Sequence, residues 1–412
     1  MKIAMMALLL VASNAFAHTP ELENFEVKPV LADLRDLEAL KIPVVAQDRS
    51  TEVGLALVTP AMQQAIQERA HKVGKCGGFE DLSQEALPTF NANGFEGILD
   101  SLSKHKERND LYESAPFKMM NVSFSDDIAK SLEKVSEKNL QDTVAWLSSF
   151  PNRFNRDPQP NIHVDEMKLR LEAMLASSSL PYEVSEIAHT STKQKSLRVR
   201  LLGKSKPSEI LVFGGHLDSI NQSWGGSKAA PGADDNASGS ANLVEALRIL
   251  VESGKQAERT LEFMWYAGEE SGLLGSGEIA KQYKSDGKDV IAVLQLDMTL
   301  FPGSGELVVG SMTDFTSAWL RDYLKAMNST YLNARILEDR CGYGCSDHAS
   351  WHRQGYPALM PFEATFRQSN KNIHTAKDVI SPDSNFRHSA LYTKIALVMA
   401  MDLGNSSDRQ PY

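Results

Sequence analysis

The residues able to do hydrolytic chemistry sit in short polar stretches at the ends of apolar runs. Glu262-Phe263-Met264-Trp265-Tyr266 reads as a buried strand that meets a turn at Ala267-Gly268, with Glu269 and Glu270 side by side at its exit. Pleating sends neighbouring side chains to opposite faces, so the two carboxylates should take different tasks. Adjacent carboxylates at the mouth of an apolar strand also repel each other. A multivalent cation removes that repulsion and lets one act as ligand and the other as base. Two more apolar runs end in the same way: Glu209–Phe213 leads to Gly214-Gly215-His216, and Val290–Leu296 leads to Asp297. In parallel α/β sheets the ligand crevice lies beyond the carboxyl ends of the strands, so these groups would converge on one rim. Pro231–Gly239 adds Asp234 and Asp235 ahead of a helix, and a helix N-cap explains only one of them. His374 stands in a loop near the C-terminus, after an aromatic-rich run.

Together these are histidines and carboxylates with no cysteine among them, a donor set that zinc accepts. Two metals about 3.5–4 Å apart and sharing a carboxylate need one histidine and one acid each, plus the bridge. His216, Asp235, Glu270, Asp297 and His374 meet that requirement, although chemistry alone does not separate Asp235 from Asp234. Glu269 is then left without a metal and free to act as general base. Asp218, two residues after His216, points to the same side of the chain and could orient its imidazole. The same ligands suit manganese or cobalt as well as zinc. A serine hydrolase is excluded by the lack of a Gly-x-Ser-x-Gly elbow.

The elements that must position these groups alternate. Asp126–Phe150 has helical periodicity and Val164–Leu175 is a second amphipathic helix. Leu197–Leu202 alternates as a strand, Gly239–Val251 is helical, Thr260–Ala267 is the strand before the glutamates, and Ser276–Tyr283 is helical again. This pattern predicts an α/β fold: one globular domain with a mainly parallel, twisted mixed sheet and helices on both faces. Residues 18–120 carry less pattern: a loosely helical, acidic opening over Glu21–Leu40, an apolar run at Val53–Val58, and a charged stretch at Lys104–Arg108. None of the chemistry above draws on them, and they read as a pro-region that is removed, with a small accessory domain as the alternative. Residues 1–17 have the form of a signal peptide, with Lys2, an apolar Ile3–Val11 and a small-residue box at Ala15-Phe16-Ala17. The formal charge of −10 is spread along the chain and argues against nucleic acid or an anionic membrane as partner.

The motifs resemble those of the secreted bacterial leucyl aminopeptidases of the co-catalytic di-zinc type, within peptidase family M28. The resemblance rests on Gly214–Ser219, Ala230–Gly239, Tyr266–Leu273, Gln295–Thr299, Cys341–Trp351 and Ile373–Thr375, in the family's order, and covers about Val122 to Gly404. It implies two Zn2+ per subunit, with Asp235 as the bridge, one zinc held by His216 and Glu270, and the other by Asp297 and His374. It further implies Glu269 as general base, Tyr343 as an oxyanion-stabilising hydroxyl, and a Cys341–Cys345 disulfide beside the pocket. Met298, Met360, Phe362, Phe366 and Ile373 fall where the family lines an apolar pocket for the first side chain. Gly268 stands where relatives often have Ala.

The function expected is hydrolysis of the N-terminal peptide bond by zinc-activated water, with a preference for Leu, Met or Phe at the first position. Expected partners are peptides with a free N-terminus, with no nucleic acid and no membrane anchor, and the chain is expected to be a monomer. Its expected location is extracellular or periplasmic. The alternatives are a related zinc exopeptidase, a glutaminyl cyclase, or a binding module that keeps the fold without the chemistry.

Overall fold

Strands whose every residue is apolar or internally paired can only sit in the middle of a sheet, and the chain supplies several. The computed structural model describes residues 27–49, 52–72, 78–82, 122–221 and 229–406. The expected signal peptide, Cys76 and the expected boundary near residue 120 lie outside them.

Within 28–81 the order is β1 (Lys28–Asp33), α1 (Leu34–Ala39), β2 (Val44–Asp48), β3 (Val53–Val58), α2 (Pro60–Lys72) and β4 (Phe79–Asp81). The strands form an antiparallel sheet in the order β2-β3-β1-β4, the split βαββαβ arrangement of ferredoxin-like domains. Val30, Ala32, Ala56 and Val58 face α1 and α2 and pack on Leu37 and Ile66. The described part of the stretch expected to be loosely helical over Glu21–Leu40 is thus a strand followed by a short helix. Asp33 makes the switch, because its carboxylate accepts from the Arg35 backbone N at 2.8 Å and caps α1.

From residue 126 the chain forms α3 (Asp126–Leu132), α4 (Glu137–Leu147), α5 (Ile162–Leu175), β5 (Tyr182–Ile187), β6 (Ser196–Leu201) and β7 (Lys206–His216). The single helix expected over 126–150 is broken at Ser136, whose hydroxyl accepts from Asn139 N and starts α4. Then follow α6 (Gly239–Ser253), β8 (Arg259–Tyr266), α7 (Leu274–Ser285), β9 (Asp289–Gln295), β10 (Val308–Met312), α8 (Ala318–Met327) and β11 (Arg335–Asp339). The last elements are α9 (His348–Arg353), β12 (Ala358–Leu359), β13 (Pro361–Phe362) and α10 (Phe386–Asp402).

The main sheet has the order β12-β9-β7-β8-β6-β5. Strands β12, β9, β7 and β8 are parallel, whereas β6 runs antiparallel to both β8 and the edge strand β5, so the expected mixed, mainly parallel sheet is present. Pleating divides each central strand between two cores. Leu211, Phe213, Leu261, Phe263 and Trp265 face α6 and α10, and Phe213 stacks on its register partner Phe263 at 5.1 Å. Ile210, Val212, Met264 and Tyr266 face α7 and α9. A smaller sheet, β11-β10-β13, stands beside the main one. No helix among the described residues is long and apolar enough to cross a membrane.

Candidate metal centre and substrate pocket

Strand β7 lies between β9 and β8, and that order decides how the polar strand ends meet. His216 closes β7, Asp297 follows β9 and Glu270 follows β8. His216 Nε2 lies 3.0 Å from Asp235 Oδ1 and 3.3 Å from Asp297 Oδ1. His374 Nε2 lies 3.0 Å from Asp235 Oδ2 and 3.0 Å from Glu270 Oε2. Two buried triads result, His216–Asp235–Asp297 and Asp235–Glu270–His374, and in each the potential ligand atoms lie within 4.8 Å of one another. Asp235 belongs to both. The structure therefore groups His216 with Asp297 and His374 with Glu270, not His216 with Glu270 as the resemblance implies. The physical reason is reach: β8 and β9 both flank β7, but Asp297 stands two residues past the end of β9, whereas Glu270 stands four residues past the end of β8, beyond the left-handed turn at Gly268.

The donor atoms fit a cation. His216 directs Nδ1 at the Asp218 carbonyl oxygen, 3.1 Å away, and donating there leaves Nε2 as a lone pair. That lone pair faces two carboxylate oxygens. Both Glu270 oxygens, Asp297 Oδ1 and His216 Nε2 are buried and find no hydrogen-bond donor among the described residues. Buried acceptors converge in this way where a positive ion can sit between them.

The electrostatics carry the same signature. Burial alone would lower the His216 pKa, but the charges of Asp297 and Glu269 more than reverse it and leave it raised. His374 behaves alike, with Glu270 and Asp235 overcoming burial. Burial would raise Asp235, yet the His216 and His374 imidazoles against its two oxygens hold it well below the usual carboxylate range. Burial pushes Glu270 up to about 7, and burial together with Glu270, Asp297 and Asp347 pushes Glu269 well above its usual value against the pull of His216.

Glu269 lies outside both triads, its Oε2 buried without a donor. The Glu269 and Glu270 backbone N–H groups donate to the two oxygens of Asp218, at 3.0 and 3.3 Å. Asp218 lies beside the His216 imidazole, its carbonyl oxygen 3.1 Å and its Oδ1 3.5 Å from Nδ1, and its carboxylate also fixes the glutamate turn. Gly268 before that turn has φ +64°, a left-handed conformation that a side chain resists.

Of the two neighbouring aspartates, Asp235 faces the centre and Asp234 turns away. Asp234 accepts from Leu300 N and Asn370 Nδ2, both at 3.0 Å. The sequence reading missed several supports. Asp378 accepts the backbone N–H groups of Asp234 and Asp235, both at 3.0 Å, and burial pushes its pKa up to about 8. Ser346 Oγ donates to Asp297 Oδ2 at 2.5 Å. Buried Arg153 donates to the carbonyls of Leu147, Leu217, Pro231 and Gly232, tying the His216 and Asp235 loops together. Asp378, four residues after His374, was the one with a signal in spacing.

The expected pocket residues come together. Met298, Met360, Phe362, Phe366 and Ile373 form one buried cluster with Cys341, Tyr343 and Cys345, and Met312 is an addition from the end of β10. Phe362 stacks on Phe366 at 5.9 Å, and Tyr343 meets Phe366 edge-on at 6.5 Å. Cys341 and Cys345 form the expected disulfide.

Comparison with known proteins agrees with this geometry. The sequence profile of peptidase family M28 matches residues 197–410. A probable leucine aminopeptidase of Arthroderma otae is 39% identical over 287 residues, 68% of this chain and 78% of the relative. A probable aminopeptidase of Saccharomyces cerevisiae is 34% identical over 338 residues, 79% of this chain and 88% of the relative. Among solved structures, the LapA aminopeptidase of Legionella pneumophila superposes with a TM-score of 0.79 at 25% identity, over 93% of this chain and 100% of that one. LapB of the same organism shares the fold, with a TM-score of 0.78 at 23% identity, covering 92% of this chain and 100% of that one. These sequence relatives are fungal and these structural neighbours bacterial, so the resemblance holds at the level of the family.

Proposed function

The chain belongs to peptidase family M28 and is an aminopeptidase, and on that premise we propose that it removes large apolar residues from peptides with a free N-terminus. The observation that carries the reading is the pair of buried triads sharing Asp235, with Glu269 uncommitted beside them. In this reading His216 and Asp297 would hold one divalent cation and His374 and Glu270 the other, with Asp235 available to both; the donor set suits zinc. When bound, such cations polarise the scissile carbonyl and make water a nucleophile near neutral pH.

The protein's own groups do the rest. Glu269 takes the proton from the attacking water at its side-chain carboxylate and returns it to the departing amine. Asp218 holds that carboxylate in place through the two backbone N–H groups of the turn. The Tyr343 hydroxyl stabilises the oxyanion. The cluster of Met298, Met312, Met360, Phe362, Phe366 and Ile373 receives the first side chain, and its apolar lining selects Leu, Met and Phe. Residues 18–120 act as a pro-region, preceded by the signal peptide at 1–17, and the mature enzyme works in the periplasm or outside the cell.

A panel of aminoacyl amides, assayed alongside metal analysis of the purified protein, tests this reading. Leucyl, methionyl and phenylalanyl amides should be cleaved at least tenfold faster than glutamyl or lysyl amides, because burying a charge in an apolar pocket costs more than 1.4 kcal/mol. N-acetyl-leucyl amide should be refused. Efficient cleavage of the acetylated substrate would remove the aminopeptidase specificity, and cyclisation of N-terminal glutamine would favour the cyclase alternative.

A further inference from the structure

The small N-terminal domain lies across the two walls of the catalytic mouth. On one wall, Gln67 Nε2 donates to the Glu270 carbonyl oxygen at 3.0 Å, and Asp81 N donates to the Gly272 carbonyl at 3.2 Å. A Cβ at Gly272 would stand 2.9 Å from Asp81 N and 3.1 Å from Phe79 Cε2. On the other wall, Glu80 Oε2 lies 2.5 Å from Arg353 Nη2, and both side chains are buried, at 6% and 4% exposure. A Cβ at Gly344 would stand 3.1 Å from Glu80 Oε2 and 3.3 Å from Arg353 Nη2. Phe315 packs on the sheet face formed by Leu31, Ala46, Val53, Leu55 and Leu82, and Arg340 pairs with Glu52 at 2.6 Å.

Strand β4 is therefore an extended segment threaded between the glutamate turn and the cysteine turn, at a glycine on each side. Gly272 lies two residues beyond Glu270, and Gly344 is the neighbour of Tyr343. Pleating turns Phe79 and Asp81 towards the first wall and Glu80 towards the second. An extended peptide entering the mouth would need the same lane and the same unobstructed glycines. A guanidinium buried at the end of that lane needs an anionic partner, because an isolated buried charge is costly. Its planar fork matches a carboxylate.

We propose that Arg353 forms a carboxylate-binding subsite beside the catalytic centre, and that Glu80 of the N-terminal domain fills it in place of a substrate. The domain closes the mouth by standing in for a peptide. Once Glu80 withdraws, Arg353 selects peptides that present a carboxylate shortly after the apolar first residue, either an acidic side chain or the C-terminus of a short peptide. The proposal rests on the aminopeptidase reading above and adds to it a preference on the leaving side.

The test compares full-length Glu80→Gln with the full-length double variant Glu80→Gln/Arg353→Gln. Two substrate pairs separate the sources of the carboxylate: leucyl-glutamyl amide against leucyl-glutaminyl amide, and leucyl-glycine against leucyl-glycine amide. Glu80→Gln alone should raise kcat/KM above wild type on every substrate. It should favour the charged member of at least one pair by about tenfold or more, the scale of the weaker charge couplings across interfaces. Adding Arg353→Gln should bring that ratio to near one, and Arg353→Lys, which keeps the charge and loses the fork, should give an intermediate ratio. Hydrolysis of all four substrates with ratios near one in Glu80→Gln would overturn the subsite. Where full-length Glu80→Gln hydrolyses none of the four because the remaining contacts keep the domain seated, the ratios are read after a proteolytic cut between residues 82 and 122; no hydrolysis even then would count against the aminopeptidase reading and take the subsite with it.

Discussion

The adjacent glutamates at 269 and 270 are separated by function because their surroundings differ. Glu270 meets His374 and Asp235, whereas Glu269 stands outside both triads and is held by its own backbone N–H on Asp218. Replacing Glu269 by Gln keeps the shape and removes the proton acceptor. Turnover of leucyl amide should fall by about 10²–10⁴ with bound metal unchanged, as measured by steady-state kinetics and metal analysis on the same sample. Retention of a tenth of the activity would place the base elsewhere. At this scale the sequence was informative about identity and poor about pairing. Histidines and carboxylates at the ends of apolar strands announced a metal centre. Which acid accompanies which histidine depended on how far each acid stands past its strand and on where the His374 loop folds back, and neither is a property of any single stretch. Arg153 stayed hidden because it acts on backbone carbonyls, which leave no composition signal, and Asp378, which accepts backbone N–H groups, was marked by nothing beyond its spacing from His374.

The elements bring these groups together through backbone contacts that leave no room for side chains. The first turn of α6 sits against the end of β9, where a Cβ at Gly239 would come within 2.2 Å of the Leu296 carbonyl oxygen and 2.4 Å of Asn236 Oδ1. Asn236 itself donates to that carbonyl at 3.0 Å and accepts from Gly239 N at 2.9 Å, so the Asp235 loop and the Asp297 loop are joined at this point. Gly239→Ala should push them apart. An overpacking cost of about 1–3 kcal/mol is expected, and the bound metal per chain should fall together with the melting temperature. A variant that melts early yet keeps full metal would uncouple the joint from the centre. The long central strands and helices were legible because their apolar periods are sustained. The break at Ser136 was not, since the apolar stripe continues across it; β1 carries an unbroken apolar run in place of alternation, and β4 has only three residues.

As a whole the molecule buries histidines that take no part in either triad. Burial lowers the pKa of His163 to about 3, of His348 to about 4 and of His388 to about 4. Their ordinary value is near 6.5, so the unfolded chain takes up protons first as the pH falls. The stability these groups contribute is complete above pH 6.5 and is lost progressively as the pH drops towards 4. A shift from 6.5 to about 4 corresponds to roughly 3 kcal/mol for one such group. The melting temperature should decline over that window, and His388→Gln should flatten the decline; a slope unchanged by the substitution would show that His388 is not its source. The α/β layering was legible from the alternation of strands and helices, but the N-terminal domain and its seat over the mouth were not, because a docking face is a property of two surfaces and only one of them carries the catalytic motifs. That seat has a consequence for timing. Strand β4 and the mouth it fills belong to one chain, so their meeting does not depend on how much protein is present. A tether of this kind sets a local concentration on the order of millimolar, which dilution leaves untouched. One backbone cut between the two parts changes the governing law to a bimolecular one, and release into a large volume then separates them without any further expenditure of energy.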